Sequence, residues 1–222
     1  MKKLLFSWSG GKDSAVALYE LQQTGQYEIA ALLTTVTKDL DRISMHGVRR
    51  SLLELQAQAL DIPLHQIWIS KNASNSDYEA KLSETFDIYK LEGVDTVAFG
   101  DLFLEDIREY RDAFLSRCEM SALYPIWERN TKEFLKDFTA RGFKAITTCV
   151  DSRKLDATFA GKFIDESFLN SLPDHVDPRG ENGEFHTFVF AGPNFKREIS
   201  FRIGETSLRE GFYYCDLIEN GA

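Results

Sequence analysis

The chain has 222 residues, of which 43% are hydrophobic and 27% are charged, with only 14 glycines and 5 prolines. This composition excludes the disordered, collagen-like and low-complexity classes, and at about 150 residues per domain the length predicts one α/β domain with an appendage. The formal net charge of −9 at pH 7 argues against a protein that works by neutralising nucleic-acid phosphates, so we predict no DNA partner.

Neither a membrane span nor a secretory leader is predicted. The apolar start of the chain is broken from Ser7 onward, and the apolar run from Ile29 to Val36 is far shorter than the roughly 18 residues of a membrane span. The three cysteines are far apart and form no CxxC pair, which predicts neither a disulfide framework nor a zinc site. We therefore expect a cytoplasmic protein without a membrane partner or a protein-held metal site.

Short apolar runs alternate with segments of helical period through the first 150 residues. The predicted strands are Lys2–Trp8, Glu28–Val36, Leu64–Ile69, Thr96–Phe99 and Phe143–Val150. The predicted helices are Asp13–Gln23, one with the stripe Val48, Leu52, Leu55 and Ala59, one with Tyr78, Leu82, Phe86 and Tyr89, Glu105–Cys118, and one capped by Asn130 that ends near Gly142. Five βα units of this kind predict a doubly wound parallel sheet.

From about Ser152 the alternation of strands and helices is lost. Pro178, Gly180 and Gly183 crowd a loop, after which residues 199–203 alternate between apolar and polar, and Phe212–Ile218 is a further apolar run. This pattern predicts a small antiparallel unit. We therefore predict an α/β domain over residues 1–151 and a small α+β unit over residues 152–222.

The sequence Ser9–Ser14 (SGGKDS, the SGGKDS loop) lies between the first predicted strand and the first predicted helix. At this place an α/β sheet presents backbone amides and the positive end of a helix to an anion. The two glycines allow close approach, Lys12 adds a cation, the serines add hydroxyl donors, and Asp13 is the expected N-cap. The loop matches neither GxxxxGK[ST] nor GxGxxG, which argues against γ-phosphate kinases and dinucleotide dehydrogenases. A glycine-rich turn with a solvated lysine is the alternative.

A second polar segment, Gly180–Thr187 (GENGEFHT, the GENGEFHT loop), enters a strand late in the chain. It places two carboxylates, Glu181 and Glu184, and the imidazole of His186 within six positions. Polar residues on a loop are more often functional than those of a core. A polar turn that starts a hairpin is the alternative.

Three further positions lie where an open α/β sheet binds its ligands. Gly100-Asp101 ends the fourth predicted strand, so Asp101 is a candidate by position. Arg108, in the next helix, could clamp a carboxylate or a phosphate, although charged residues at neighbouring helical steps commonly form a solvated, paired face. His46, after the second strand, could contact nucleotide or substrate, with an exposed loop histidine as the alternative.

The SGGKDS loop resembles the PP-loop of ATP pyrophosphatases, which holds the β- and γ-phosphates as pyrophosphate leaves. Together with Met45-His46, Gly100-Asp101, Tyr124–Trp127 and the GENGEFHT loop, in that order, it resembles the diphthine-ammonia ligase family of PP-loop ATP pyrophosphatases, in a bacterial-type branch. The resemblance covers nearly the whole chain. It implies that residues 1–151 form a Rossmann-like ATP-binding domain and that residues 152–222 form a substrate-side unit.

The resemblance implies an ATP-dependent amidation. A carboxylate is adenylated, pyrophosphate leaves, ammonia attacks the acyl-adenylate, and an amide and AMP are released. In the eponymous reaction the carboxylate belongs to diphthine, a modified histidine of elongation factor 2. The implied substrates and partners are ATP with Mg²⁺, free ammonium and a carboxylate acceptor, and a homodimer is a further candidate assembly.

Position and resemblance together assign three groups of residues. The predicted catalytic residues are Lys12, Asp13, Glu181 and Glu184. The predicted ATP-binding residues are Ser9, Gly10, Gly11, Lys12, Asp13, Ser14, His46, Gly100 and Asp101. The predicted substrate-binding residues are Arg108, Asn182, Gly183, His186 and Thr187.

The GENGEFHT loop departs from the family pattern, which reads Gly-Glu-Gly-Gly-Glu, an aromatic, Glu and Thr. Asn182 stands here in place of the second glycine of the pattern, and His186 stands in place of its last glutamate. Exchanging a carboxylate for an imidazole alters charge and hydrogen bonding on the acceptor side, which leaves the identity of the carboxylate substrate open.

Two other functions stay open from the residues alone. A tRNA-thiolating PP-loop enzyme should have paired cysteines and a basic surface, which this chain lacks, although Cys149 at the end of the fifth predicted strand keeps this reading open. A non-catalytic ATP-binding sensor is the second alternative, and it would not need the acidic GENGEFHT loop.

Overall fold

The structure is a computed structural model that describes residues 1–43, 46–100, 105–127 and 131–220. The chain forms two compact units. The first unit comprises Met1–Ser9, Asp13–Asp41 and Ile62–Glu128, and the second comprises Gly10–Lys12, Arg42–Asp61 and Arg129–Ala222. Neither unit is therefore one continuous stretch of sequence.

Strands and helices alternate along most of the chain. In order they are β1 (Lys2–Ser7), α1 (Lys12–Gln23), β2 (Tyr27–Thr37), β3 (Arg42–Ile43), α2 (Arg50–Leu60), β4 (Leu64–Ile69), α3 (Asn75–Lys90), β5 (Thr96–Ala98), α4 (Glu105–Arg117), β6 (Ser121–Leu123), α5 (Thr131–Ala140), β7 (Lys144–Asp151), α6 (Glu166–Ser171), β8 (Phe185–Ala191), β9 (Phe201–Arg209) and β10 (Phe212–Glu219).

The first unit is built on parallel strands in the order β4-β2-β1-β5-β6. The first four predicted strands are confirmed as β1, β2, β4 and β5, and the helices predicted after them as α1, α2, α3 and α4. The short strand β6 was not predicted, because its sequence Ser-Ala-Leu contains none of the β-branched or aromatic residues that mark a strand. The predicted α/β fold with a doubly wound parallel sheet is confirmed.

The strand order reverses at β1. The chain adds β2 and β4 on one side of β1 and then returns to add β5 and β6 on the other side. At such a switch point the loops that leave the carboxyl ends of the two central strands diverge, and ligands of open α/β sheets bind there. The loop after β1 enters the SGGKDS sequence, and the loop after β5 carries Gly100.

Helices α3 and α4 complete the core of the first unit. Leu82 and Phe86 of α3 and Phe114 and Leu115 of α4 pack in one buried cluster with residues of β1, β4 and β5, among them Val97. Burying an apolar side chain of this size contributes about 1.5–3 kcal/mol. This cluster therefore holds β1 and β5, the two strands that lead into the loops at the switch point, in place.

The second unit contains a four-stranded antiparallel sheet in the order β8-β7-β10-β9. The strand predicted at Phe143–Val150 exists as β7, but its neighbours β8 and β10 both run antiparallel to it. Its predicted place as a fifth parallel strand was therefore wrong. A fully buried apolar run has no period that reveals the direction of its neighbours, which explains the error.

The small antiparallel unit predicted near the C-terminus is confirmed, and its strands β9 and β10 form a hairpin. The two residues that join the strands, Glu210 and Gly211, have φ angles of 51° and 86°. Positive φ at both positions is the type I′ geometry, which matches the twist of the flanking strands and suits glycine at the second position.

Among the described ranges, no helix is both long and apolar enough to cross a membrane. The domain boundary predicted after residue 151 stays a prediction.

Candidate functional site

The backbone of Gly10 is tied to β8 and α2 within the second unit. The Gly10 carbonyl oxygen accepts hydrogen bonds from the Val189 amide at 2.9 Å and from Nε2 of Gln56 at 3.0 Å. Gly10 has a φ of 76°, and a Cβ built on it would lie 2.6 Å from Oε1 of Gln56. The φ angle favours glycine here, because the left-handed conformation is costly for other residues, and a Cβ would also force the carboxamide of Gln56 to shift.

Helix α1 begins one residue earlier than expected, at Lys12. The Lys12 amide donates to Oγ1 of Thr187 at 3.0 Å, so a hydroxyl from distant sequence satisfies one of the N–H groups that a helix leaves open at its start. The prediction that Asp13 is the N-cap was therefore wrong, since Asp13 lies inside the first turn. A carboxylate in the first turn still interacts favourably with the positive end of the helix.

The Lys12 side chain is almost completely buried, with 4% of the residue exposed. Its Nζ lies 5.6 Å from the centroid of the Phe185 ring. Phe185 is the residue where the GENGEFHT loop enters β8. A lysine of the SGGKDS loop and the end of the GENGEFHT loop are thus neighbours in the second unit.

In the first unit, the two serines of the SGGKDS loop and Gly100 lie around the start of α1. The hydroxyls of Ser9 and Ser14 are 3.0 Å apart. A Cβ on Gly100 would lie 2.7 Å from Cα and 2.8 Å from N of Ser14. The loop after β5 therefore packs directly on the backbone of α1. Asp101, also predicted here, lies outside the described residues.

We predict that Gly100→Ala displaces the start of α1. The added methyl group meets backbone atoms, which cannot turn away as a side chain can, so we expect a loss of stability of about 1–3 kcal/mol and weaker binding of ATP. The matched control is Gly93→Ala, where a Cβ has open space and only the φ of 82° is unfavourable. Urea unfolding and ATP titration check both variants, and unchanged ATP affinity in Gly100→Ala contradicts the assignment of Gly100.

His46 lies beside β8 in the second unit. Its Nδ1 is 3.2 Å from the Thr187 carbonyl oxygen, and its ring centroid is 4.7 Å from that of His186. Arg42 supports this segment, since its Nη1 donates to the Gly47 carbonyl at 2.7 Å and its Nη2 donates to Asp216 at 2.9 Å. The structure thus brings together His46, His186 and Thr187, which sequence reasoning had assigned separately to ATP and to the acceptor.

His186 is held as a neutral imidazole. Burial, with the neighbouring His46 and the positive charge of Lys12, lowers the pKa of His186 to about 3. The imidazole therefore acts as a neutral hydrogen-bonding group near pH 7, and it does not supply the negative charge that a glutamate would supply there.

We predict that His186→Gln reduces the acid sensitivity of folding. With a folded pKa of about 3 and an unfolded pKa near 6.5, His186 takes up a proton only in the unfolded state over the intervening range, so it lowers stability as the pH falls below about 6.5. The free energy of unfolding, measured with urea between pH 7.5 and pH 4.5, should decrease less steeply with falling pH in the variant than in wild type. Exposed His175 provides the control His175→Gln, and equal slopes in wild type and His186→Gln contradict the prediction.

The Glu184 side chain shapes the GENGEFHT loop from inside. Only 1% of the residue is exposed, and its two oxygens accept from the Asn182 amide at 2.9 Å, from Nδ2 of Asn182 at 3.0 Å and from the Asp177 amide at 3.3 Å. A buried carboxylate with three donors is well compensated. Glu184 therefore holds the turn in which Gly180 and Gly183 adopt positive φ.

Glu181 lies beside a buried arginine. Nη2 of Arg179 is 3.7 Å from Oε1 of Glu181, and the guanidinium lies 4.2 Å from the centroid of the Phe134 ring. Arg179 is 0% exposed, whereas the Glu181 side chain keeps 17% of its surface exposed. Arg179 thus holds the Glu181 carboxylate while one part of it still meets solvent.

Arg108 belongs to the first unit, where it packs against aromatic rings. Its guanidinium lies 5.1 Å from the ring centroid of Tyr124 and 4.6 Å from that of Trp127. Its Nε lies 3.7 Å from Oδ2 of Asp112. This is the paired, partly exposed arrangement given above as the alternative to a clamp. Its role in substrate binding stays a prediction.

Sequence reasoning missed Gln56 and Arg179, two fully buried polar residues of the second unit. Gln56 carries a signal that could have found it, because it lies at helical spacing from Leu52 and Leu60 and so interrupts an apolar stripe. Arg179 carries no such signal, since it lies in a loop without periodicity.

A parallel sheet with a glycine-rich loop that opens a helix at its switch point is the architecture of the nucleotide-binding class of α/β folds. Residues 1–123 match the family model of the diphthamide synthase N-terminal domain, and residues 130–220 match that of the diphthamide synthase C-terminal domain. The chain therefore belongs to the diphthamide synthase family.

The chain is similar to several curated proteins named diphthine–ammonia ligase. The protein of Schizosaccharomyces pombe is 26% identical over 216 residues, which cover 89% of this chain and 36% of that protein. The Bos taurus protein is 27% identical over 213 residues, covering 86% of this chain and 79% of that protein. The chain thus spans about a third of the yeast relative and most of the mammalian one.

Among solved structures, the chain is similar to one described as a predicted subunit of tRNA methyltransferase from Methanocaldococcus jannaschii. The match covers 90% of this chain and 100% of that chain, with 17% sequence identity and a TM-score of 0.44.

Proposed function

We propose that this protein is an ATP-dependent ligase that adenylates a carboxylate and converts it to an amide with ammonia, releasing AMP and pyrophosphate. The observation that carries the proposal is the 3.0 Å hydrogen bond from the Lys12 amide to Oγ1 of Thr187. It joins the SGGKDS loop, which is proposed to bind ATP, to the end of the GENGEFHT loop, which is proposed to bind the acceptor. A reaction between ATP and the acceptor requires the two loops to be neighbours. The similarity to proteins named diphthine–ammonia ligase supports the same chemistry.

In the first step a carboxylate oxygen of the acceptor attacks the α-phosphorus of ATP. The bond from that phosphorus to the oxygen bridging to the β-phosphate breaks, and pyrophosphate leaves. Lys12 and the backbone amides of its loop would stabilise the negative charge that gathers on the leaving phosphates. The burial of Lys12 strengthens this effect, because charges attract more strongly away from water.

Mg²⁺ would come with the nucleotide. Within the described parts of the chain, no three histidine, cysteine, aspartate or glutamate side chains come together as metal ligands. MgATP takes most of its metal ligands from phosphate and water and only one or two carboxylates from protein. Bound there, it would neutralise charge on the phosphates, and Asp13 at the start of α1 is the proposed carboxylate.

In the second step ammonia attacks the acyl carbon of the adenylate, and AMP leaves with the former carboxylate oxygen. Ammonium must first lose a proton, and we assign this task to Glu181, whose side chain is partly exposed beside Arg179. Glu184 contributes by holding the turn, since its oxygens already accept three N–H donors.

We propose that the acceptor is a carboxylate without a cationic group that a negative charge at residue 186 would have to neutralise. The family pattern has a glutamate at this position, whereas His186 is neutral here because its pKa is lowered to about 3. A neutral imidazole does not neutralise a cationic substrate group. Assays with acceptors that carry and lack a cationic group, in wild type and His186→Glu, test this assignment. The cytoplasmic location and the homodimer stay predictions.

The thiolation alternative depends on Cys149, which lies opposite His186 in the register of β7 and β8. Burial raises the pKa of this thiol to about 11, so it is protonated at neutral pH, whereas persulfide chemistry needs a thiolate. We predict that Cys149→Ala keeps ATP turnover within about twofold of wild type. Pyrophosphate release measured beside thermal unfolding checks this, and loss of turnover in a folded variant would favour thiolation.

Carboxylate-dependent exchange of labelled pyrophosphate into ATP tests the adenylation step by itself, without ammonia. We expect exchange only when Mg²⁺ and a fraction of cell-extract carboxylates are present. With ¹⁸O-labelled carboxylate and ammonium, one label should appear in AMP. Exchange that is independent of any carboxylate, or AMP without label, contradicts acyl-adenylate formation.

A further inference from the structure

We propose that Gln56 is a positioning residue of the SGGKDS loop, because its carboxamide keeps the Gly10 carbonyl away from the phosphates of ATP. The inference rests on the proposed function, in which this loop binds the β- and γ-phosphates. Gln56 acts through the backbone of Gly10 and does not itself contact the nucleotide.

The burial of Gln56 requires a specific reason. It is 0% exposed, and its neighbours on the buried face of α2 include Leu52, Leu53 and Leu60. A carboxamide in such a place lowers stability unless it is hydrogen-bonded. Its Nε2 donates to two carbonyl oxygens, that of Gly10 at 3.0 Å and that of Val189 at 2.7 Å, so the NH₂ group faces them, and both of its hydrogens are used.

The Gly10 carbonyl is held by two donors at once. Besides Gln56, the Val189 amide donates to it at 2.9 Å. These donors fix the plane of the peptide that joins Gly10 to Gly11. In a trans peptide the C=O and the following N–H point in opposite directions, so the Gly11 amide is directed to the side away from Gln56.

The orientation of this one peptide decides the sign of the field that the loop presents. Amide N–H groups attract phosphate, and a carbonyl oxygen repels it. Gly10 has a φ of 76°, and glycine has access to several other backbone conformations at little cost. Without the Gln56 donor the peptide is held by Val189 alone, and conformers that turn the Gly10 oxygen toward the anion become populated.

A packing role for Gln56 makes a different prediction. If the side chain only joins α2 to β8, its loss lowers stability and weakens every ligand alike. If it positions the Gly10 peptide, its loss weakens ligands in proportion to the β- and γ-phosphates they carry. AMP lacks both phosphates, whereas ATP and inorganic pyrophosphate contain the groups that the loop is proposed to hold.

The test uses Gln56→Met, which keeps the size and removes the donors, and Gln56→Glu, which places oxygens against the two carbonyls. Two controls come from the same helix. Gln58→Met changes an exposed glutamine that contacts Arg197, and Leu53→Ala weakens the buried face of α2 while both donors to the Gly10 carbonyl are kept. Calorimetric titration with MgATP, pyrophosphate and AMP is combined with thermal unfolding of each variant.

We expect both Gln56 variants to bind MgATP and pyrophosphate at least about tenfold more weakly, while AMP affinity changes by less than about twofold. Gln58→Met should match wild type, and Leu53→Ala should lose stability without this selectivity. Wild-type MgATP affinity in Gln56→Met, or equal losses for ATP and AMP, overturns the inference alone. A wild-type protein that binds neither MgATP nor pyrophosphate overturns the proposed function together with it.

Discussion

Replacing Lys12 by alanine should reduce the rate of pyrophosphate release by about 100- to 1,000-fold, because a preorganised charge is removed from the place where negative charge develops. Such a reduction corresponds to about 2.7–4 kcal/mol of transition-state stabilisation. The Lys12 amide that donates to Thr187 is backbone and stays in place, so the start of α1 should survive the substitution.

Two further variants separate charge from packing. Lys12→Met removes the ammonium but keeps an apolar stem beside Phe185, and it should be as inactive as Lys12→Ala. Lys154→Ala removes an exposed lysine of the same unit and should be fully active. Pyrophosphate release at saturating ATP, with circular dichroism to confirm folding, is the measurement. Wild-type turnover in a folded Lys12→Ala variant would remove the phosphate-binding assignment.

Glu184→Gln should lower turnover by about 100-fold, because a small displacement of a catalytic group from its working position reduces the rate by about this factor, while ATP affinity stays close to that of wild type. The amide that replaces one carboxylate oxygen faces N–H donors from Asn182 or Asp177, and each donor left without an acceptor lowers stability by about 1–3 kcal/mol. The turn that carries Glu181 then loses its fixed geometry, so the amidation half of the reaction suffers most.

The same variant distinguishes a ligase from a sensor. A non-catalytic ATP-binding protein has no turnover to lose, and its ATP affinity should not respond to Glu184. Titration with MgATP and product formation are measured side by side, with exposed Glu205→Gln on β9 as the matched control. Unchanged product formation in Glu184→Gln contradicts a role for the GENGEFHT loop in catalysis.

The parts of the site that sequence could predict are those set by local rules. The SGGKDS loop follows a short apolar run of strand length and precedes a segment of helical period, so its place at the end of β1 could be deduced without knowledge of any distant contact. Gly100 was assigned by the same argument, and its close approach to the backbone of Ser14 agrees with that place.

What could not be predicted depends on contacts between distant parts of the chain. Asp13 was expected to cap α1, but the first amide of the helix, at Lys12, bonds to Thr187, which is 175 residues away in sequence. The direction of β7 relative to β8 and β10 is likewise absent from its own apolar run. Gln56 has its role only because Gly10 and Val189 both offer carbonyl oxygens to it.

Product analysis of ATP turnover with Mg²⁺, ammonium and a pool of cell-extract carboxylates, in wild type and Lys12→Ala, is the most direct test of adenylation followed by amidation. We expect AMP and pyrophosphate in equal amounts, dependent on the extract and on ammonium, and strongly reduced in Lys12→Ala. ADP and phosphate as products, or tight ATP binding without any product, would contradict an adenylating ligase.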